Sequence, residues 1–246
     1  MLKAVFIDLD NTIALYDELV FLERFLQLIY KRFDDRFSFG ELQNQIITAT
    51  LSLNGNNGEK TIRDYFLENV VAGHKMGPDE FWQRSMDFYQ NDFDKARPTV
   101  RTPTKLHEVL KQLKQMELRL VVASNPIYPR IAIEKRLAWV DVDPNDFELI
   151  THMENMNFVK PDTAYYQQIC NMLGVLPEHC LMVGNDPKND MTAAGIKIKT
   201  FLTTDGGATD YGSLSSKDDQ QEQNSTNLKP DFIGPLAGVI EVVRKL

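Results

Sequence analysis

Two carboxylates, Asp8 and Asp10, follow directly after the short apolar run Ala4–Ile7 near the start of the chain. Two acids at the end of a hydrophobic strand are costly unless a cation or hydrogen bonds compensate them. The carboxyl ends of strands in open α/β sheets are also where ligands bind, so the pattern indicates a site. The alternative at this point is an ordinary acid-rich turn, because Asp and Asn are common turn formers.

Three further polar groups follow predicted apolar strands, and each has an ordinary structural explanation when it is taken alone. They are Ser124 and Asn125 after strand 119–123, Lys160 after strand 147–151 and its loop, and Asn185, Asp186 and Asp190 after strand 180–183. Such residues commonly form turns, helix caps or solvated side chains. Their shared position after strands is the stronger signal, because right-handed crossovers bring parallel strand ends to one edge.

Strands and helices alternate in the second part of the chain, which predicts a parallel sheet. The predicted strands are 4–7, 119–123, 147–151, 180–183, 197–202 and 230–233. The predicted helices are 104–115, 127–139, 161–173, a helix that follows Asp186 and ends at Ala194, and 236–246. This alternation is typical of an α/β fold, here a Rossmann-like, doubly wound parallel sheet with helices on both faces.

An all-helical insert separates the first strand from the others. Apolar residues at helical spacing predict helices near 19–29, 42–51, 61–71 and 78–89, and Ser38 with Glu41 forms a capping-box pattern. We therefore predict a core made of residues 1–15 and 101–246, with a helical cap at 16–100. The polar segment 205–229 is predicted to be a flexible loop within the core.

Composition excludes several classes of partner. The 246-residue chain has a net charge of −8 and no basic block, which argues against nucleic acid or an anionic membrane as partner. No apolar run approaches membrane-spanning length, and the N-terminal residues lack signal-peptide form, so we expect a cytoplasmic protein. Cys170 and Cys180 lack metal-ligand spacing and are predicted to be buried free thiols. Nothing in the sequence indicates an oligomeric state.

Taken together, the four polar groups resemble the haloacid dehalogenase-like (HAD) hydrolase superfamily, which carries four such motifs in this order. The sequence DLDNT at residues 8–12 matches the first motif, DxDxT, in its phosphatase form. Ser124 matches the second motif, Lys160 the third, and the acidic segment 184–190 the fourth. The insert stands at the C1-cap position between the first and second motifs, so the resemblance covers nearly the whole chain.

The resemblance implies a role for each of these residues. Asp8 would be the nucleophile that forms an aspartyl-phosphate, and Asp10 the general acid and base. Ser124, Asn125 and Lys160 would bind the phosphate. Mg²⁺, a hard cation that suits oxygen ligands, would bind Asp8, the Asp10 backbone carbonyl, Asp186 and Asp190.

The resemblance also concerns Thr12 and the residue that follows the glycine of the fourth motif. Thr12 would steady the loop by hydrogen bonding, with Asn185 as a further supporting residue. Many family members place Asp directly after the glycine of the fourth motif, whereas Asn185 intervenes here. Which of Asp186 and Asp190 contacts the metal directly therefore stays open.

Together these expectations describe a magnesium-dependent phosphatase. Its substrate would be a small phosphorylated metabolite, since a cap that closes over the site selects against large substrates. A phosphomutase could use the same Asp8 and Asp10. A dehalogenase fits less well, because the resemblance implies that this branch lacks an Asp at position 10. A non-catalytic phosphate-binding regulatory protein is the alternative outside the enzymes, although a binding module needs no acid beside a nucleophile.

Overall fold

The computed structural model describes residues 1–206 and 229–246, which form a six-stranded, entirely parallel sheet with helices on both faces. The strands are β1 (Ala4–Ile7), β2 (Arg119–Val122), β3 (Leu149–Ile150), β4 (Cys180–Gly184), β5 (Lys199–Thr203) and β6 (Phe232–Gly234). Their spatial order is β3-β2-β1-β4-β5-β6, so β1 lies between β2 and β4. The predicted Rossmann-like fold and all six predicted strands are confirmed, with small shifts at the strand ends.

The position of β1 follows from its uninterrupted apolar sequence, which suits a strand covered on both faces. Val5 and Ile7 pack into one hydrophobic cluster, whereas Ala4 and Phe6 pack into the cluster on the other face. Ile7 is in register with the last residue of β2 on one side and with Val183 on the other. The segments that follow these three strands therefore begin at the same level of the sheet.

The described part of the core contains four α-helices, α5 (Leu106–Gln115), α6 (Arg130–Ala138), α7 (Thr163–Leu173) and α8 (Val239–Val243). Asp162 caps α7, because its side chain accepts a hydrogen bond from the backbone N–H of Ala164. The terminal helix is shorter than the predicted 236–246, since its first turn is a 3₁₀ helix, Leu236–Gly238, that leads into α8.

The helix predicted directly after Asp186 is wrong. The chain forms a turn there, and the next element is the 3₁₀ helix Asp190–Ile196. The Asp186 carboxylate accepts backbone hydrogen bonds from Lys188 and Asn189, at 2.8 and 3.2 Å. Short acidic side chains that bond to nearby backbone in this way favour turns over helix.

The insert consists of α1 (Glu18–Tyr30), α2 (Phe39–Leu51), α3 (Ile62–Val70) and α4 (Pro78–Asn91). The predicted capping box of α2 is present, with both Ser38 and Glu41 bonding to backbone N–H groups. Leu15 and Arg101 bond to each other through their backbones, at 3.0 and 2.8 Å. The chain thus enters and leaves the insert side by side.

A second contact joins the cap to the core segment before Lys160. The side-chain amide of Asn157 donates to the Gly58 carbonyl at 2.7 Å, and the Asn56 amide donates to the Asn157 carbonyl at 2.9 Å. Gly58 has φ +87° and faces the Phe158 ring, which a Cβ at residue 58 would approach to 2.3 Å. A larger residue at position 58 would therefore strain this backbone and displace the Phe158 ring.

Two further predictions concern the cysteines and the polar loop. Cys170 and Cys180 are buried free thiols, as predicted, with their Sγ atoms 4.0 Å apart. The loop predicted at 205–229 lies almost entirely outside the described residues. Among the described residues, no helix has the length and apolar character needed to cross a bilayer.

Candidate active site

A buried ion cluster joins the ends of β1 and β4 to the Lys160 side chain. The Lys160 Nζ lies 2.8 Å from Asp8 Oδ1 and 2.6 Å from Asp190 Oδ1. The three side chains are only 2%, 11% and 1% exposed for Lys160, Asp8 and Asp190 respectively. The fold thus places one buried cation between two carboxylates that are far apart along the chain.

Burial governs the electrostatics of this cluster. It raises the pKa of Asp8 to about 8, while the Lys160 ammonium opposes the shift and Asp190 and Asp10 add to it. Burial would lower the pKa of Lys160, but the carboxylates of Asp190 and Asp8 raise it well above its ordinary value. The Lys160 ammonium is therefore positively charged at neutral pH.

Asp190 is fixed by its neighbours on both carboxylate oxygens. Its second oxygen, Oδ2, accepts the backbone N–H of Asp186 at 2.9 Å. Gly184 permits this arrangement, because a Cβ there would come within 2.1 Å of Asp190 Oδ2. Asp190 thereby positions the Lys160 ammonium with one carboxylate oxygen and bonds to the turn after β4 with the other.

Asp186 and Asn185 lie beside this cluster in the turn after β4. The residue Asp186 is 8% exposed. Its carboxylate accepts a hydrogen bond from the Asn189 side-chain amide at 2.6 Å in addition to its bonds from backbone N–H groups. Thr12 donates its hydroxyl hydrogen to Asn185 Oδ1 at 3.2 Å. This bond connects the loop after β1 to the turn after β4.

Ser124 and Asn125 follow β2 at the same edge. The Ser124 carbonyl accepts the hydroxyls of Thr151 and Tyr165, at 2.8 and 2.9 Å, which fixes the backbone of a residue that is only 1% exposed. Asn125 Oδ1 accepts the backbone N–H of Lys160 at 3.2 Å. The second and third sequence motifs are therefore in direct contact.

Asp10 has different partners from Asp8. Its carboxylate faces Arg136 on α6, whose Nη1 lies 2.7 Å from Oδ1 and 2.6 Å from Oδ2. The Tyr16 hydroxyl also donates to Oδ1. The Arg136 side chain is completely buried, whereas the Asp10 side chain is 25% exposed.

Sequence reasoning missed Arg136 and Tyr16. A signal for Arg136 existed, because it lies four residues after Ala132 and three after Ile133, on the apolar face of α6. A buried arginine on such a face requires a partner. The partner itself is 126 residues away along the chain, so spacing could not identify it.

With this geometry established, the comparison with protein families is decisive: the sequence model for haloacid dehalogenase-like hydrolases matches residues 2–195. The chain belongs to the haloacid dehalogenase-like hydrolase family. The family resemblance predicted from the four motifs is confirmed, and so is the prediction of a hydrolase. A comparison with curated proteins found no significant sequence match.

Several solved structures share the fold of this haloacid dehalogenase-like hydrolase. A predicted phosphatase from Clostridium acetobutylicum has a TM-score of 0.58 at 15% identity, with 100% of both chains covered. A predicted phosphoglycolate phosphatase from Haemophilus somnus 129PT has a TM-score of 0.56 at 18% identity, with 98% of both chains covered. A proposed β-phosphoglucomutase from Thermotoga maritima has a TM-score of 0.54 at 15% identity, again over 100% of both chains.

The oxygen donors at the site of this hydrolase fit a magnesium ion. Asp8 and Asp186 follow the adjacent strands β1 and β4, and both residues are 8% exposed. Residues 1–206 and 229–246 contain no group of three or more His, Cys, Asp and Glu side chains suited to a metal. Two carboxylates are nevertheless enough, since Mg²⁺ commonly binds one or two of them and completes its shell with water and substrate phosphate.

Proposed function

We propose that this hydrolase is a magnesium-dependent phosphatase that acts on a small phosphorylated metabolite through an aspartyl-phosphate on Asp8. The observation that supports it most is the Lys160 ammonium 2.8 Å from Asp8 Oδ1. A buried cation beside a carboxylate attracts a phosphate dianion to that carboxylate and offsets the repulsion between the two anions. Phosphoryl transfer depends chiefly on positioning and charge neutralisation of this kind.

In the first step, an Asp8 carboxylate oxygen forms a bond to phosphorus while the bond between phosphorus and the leaving oxygen breaks. Asp10 supplies the proton to that leaving oxygen, which departs as an alcohol. Lys160, Ser124 and Asn125 bind the phosphate oxygens and so keep phosphorus in line with the attacking Asp8 oxygen. When bound, Mg²⁺ supplies further positive charge between Asp8 and the phosphate.

In the second step, a water oxygen bonds to the same phosphorus while Asp10 takes up a proton from the water. The bond between phosphorus and the Asp8 oxygen breaks, which releases inorganic phosphate and restores the Asp8 carboxylate. The proton that Asp10 donates in the first step is thus replaced in the second.

We assign the metal to Asp8, Asp186 and the Asp10 backbone carbonyl, and the orientation of Lys160 to Asp190. Both Asp190 oxygens are already engaged, by the Lys160 ammonium and by the backbone N–H of Asp186. The Asp186 carboxylate also accepts hydrogen bonds, but it is more exposed than that of Asp190, at 8% against 1%.

Hydrolysis of 4-nitrophenyl phosphate with and without Mg²⁺ tests this function, followed by a panel of phosphorylated metabolites. We expect turnover that needs the metal and disappears in Asp8→Asn. The matched control is Asp146→Asn. Asp146 lies just before β3, away from the motif residues in the sequence, and its carboxylate pairs with Lys114. Wild-type protein that releases no phosphate from any compound, with Mg²⁺ present, contradicts the proposal.

The same panel distinguishes the phosphatase from a phosphomutase. A phosphomutase is the second candidate because of the likeness to the Thermotoga maritima protein. A mutase would interconvert isomers of a sugar phosphate and release little inorganic phosphate. Stoichiometric phosphate release at a rate that equals substrate loss favours the phosphatase.

A further inference from the structure

The carboxylate of Asp10 is fixed from the buried side of the site by two donors. Arg136 Nη1 bonds to both of its oxygens, at 2.7 and 2.6 Å, and the Tyr16 hydroxyl bonds to Oδ1 as well. Arg136 is fully buried and Asp10 is one-quarter exposed, so the guanidinium lies behind the carboxylate and leaves its outer face open. Oδ1 accepts both donors, whereas Oδ2 accepts only Arg136 among the described residues, so a second lone pair of Oδ2 remains for another partner on that face.

Arg136 is itself held in place by α6 and by an aromatic ring. Its Nε donates to the Ala132 carbonyl one turn earlier, at 3.3 Å, and its Cζ lies 4.5 Å from the centre of the Tyr128 ring. A planar guanidinium that stacks on a ring and bonds to the backbone has little freedom to rotate. The position of Asp10 is therefore set by α6 and not only by its own loop.

Stability alone gives a poor account of this arrangement. Arg136 Nη2 is buried and has no hydrogen-bond partner among residues 1–206 and 229–246. A buried ion pair often contributes less than apolar residues of the same volume, and an unused buried donor adds a further cost. A side chain that carries such a cost beside a reacting carboxylate is better explained by what it does to that carboxylate.

We propose that Arg136, supported by Tyr16, is a positioning residue that fixes the Asp10 carboxylate for proton transfer to the leaving group. This inference rests on the proposed acid and base role of Asp10. Proton transfer of this kind contributes about 10²- to 10⁴-fold to a rate, and a displacement of about 1 Å can cost about 10²-fold. The loss of Arg136 should therefore act on the step that needs the proton, and only weakly elsewhere.

Leaving groups of different basicity provide the test, because a basic leaving oxygen needs the proton and a weakly basic one does not. We compare kcat for phenyl phosphate and for 2,4-dinitrophenyl phosphate in Arg136→Met, Arg136→Lys and Tyr16→Phe. In Arg136→Met, we expect kcat on phenyl phosphate to fall about ten-fold or more beyond the fall on the dinitrophenyl ester. Arg136→Lys and Tyr16→Phe, which each keep a positively charged side chain at residue 136, should show a smaller ratio of the same sign.

Arg119→Met is the matched control, because it removes another arginine that bonds to a carboxylate, that of Glu148. It should leave the ratio between the two substrates unchanged. An equal fall on both substrates in Arg136→Met overturns the proposal, because a merely structural role lowers the amount of active enzyme without changing leaving-group dependence. Tyr16→Phe serves the same purpose if Arg136→Met does not fold.

A crystal structure of Arg136→Met provides a readout that does not depend on activity. We expect the Asp10 carboxylate to leave the place it has in the wild type, and an unchanged Asp10 overturns the proposal. If the wild-type protein hydrolyses neither ester, the proposed phosphatase function fails, and the crystal structure alone decides whether Arg136 positions Asp10.

Discussion

Asp8 and Asp10 are two residues apart, yet each pairs with a buried cation from a different part of the core. Asp8 pairs with Lys160, which a second carboxylate, Asp190, holds at 2.6 Å. Asp10 pairs with Arg136, which leaves one of its nitrogen atoms without a hydrogen bond among the described residues. We call these the Lys160 side and the Arg136 side of the site.

The difference between the two sides lies in how the cation is used. On the Lys160 side, the cation has three donors, of which two bond to Asp8 and Asp190, and it is close to the place where a phosphate would contact Asp8. On the Arg136 side, the cation is a rigid fork completely enclosed by α6 and aromatic rings. One cation can bind both protein and substrate, while the other can only hold a side chain in place.

The largest expected effect is on the Lys160 side. Lys160→Met leaves Asp8 and Asp190 without their shared cation, and breaking a buried ion pair in this way costs about 3–5 kcal/mol. We expect the free energy of unfolding in urea at pH 7 to fall by about that amount, and phosphatase activity to disappear. Lys199→Met, which removes an exposed pair with Asp231, should cost less than about 1 kcal/mol. Equal losses in the two variants would show that the buried cation does not stabilise the cluster.

A smaller effect tests whether the metal belongs to the Lys160 side. Mg²⁺ that binds only the folded protein raises its stability by about 2.7 kcal/mol at 100 times the dissociation constant. We expect the Tm of the wild type to rise with Mg²⁺ and that rise to shrink strongly in Asp186→Asn. The control is Asp79→Asn, an exposed carboxylate in the cap. A full rise of Tm in Asp186→Asn would assign the metal to other ligands.

The smallest expected effect concerns Thr12, which connects the loop after β1 to Asn185. Thr12→Val removes one neutral hydrogen bond, and we expect a loss of about 1 kcal/mol in the free energy of unfolding. It should lower hydrolysis of phenyl phosphate far less than Asp10→Asn does. Equal kinetic effects of the two substitutions would contradict the proton-transfer role of Asp10.

Local sequence was sufficient for most of the elements because their signals are short in range. The apolar run of β1, the capping box at Ser38 and the proline that opens α4 each depend on residues a few positions apart. The helix predicted after Asp186 failed for a related reason. The Asp186 side chain competes for backbone N–H groups, and the spacing of hydrophobic residues gives no sign of that competition.

The sequence by itself determined the family, the parallel sheet and the set of polar residues at its edge, because the first, second and fourth motifs lie at the ends of the strands that position them. Only the tertiary structure decided how those residues pair. Lys160 reaches Asp8 and Asp190 across the sheet edge, and Arg136 reaches Asp10 from a helix 126 positions further along the chain. Such pairs depend on where distant segments meet in the fold, and their spacing along the chain carries no information about that meeting.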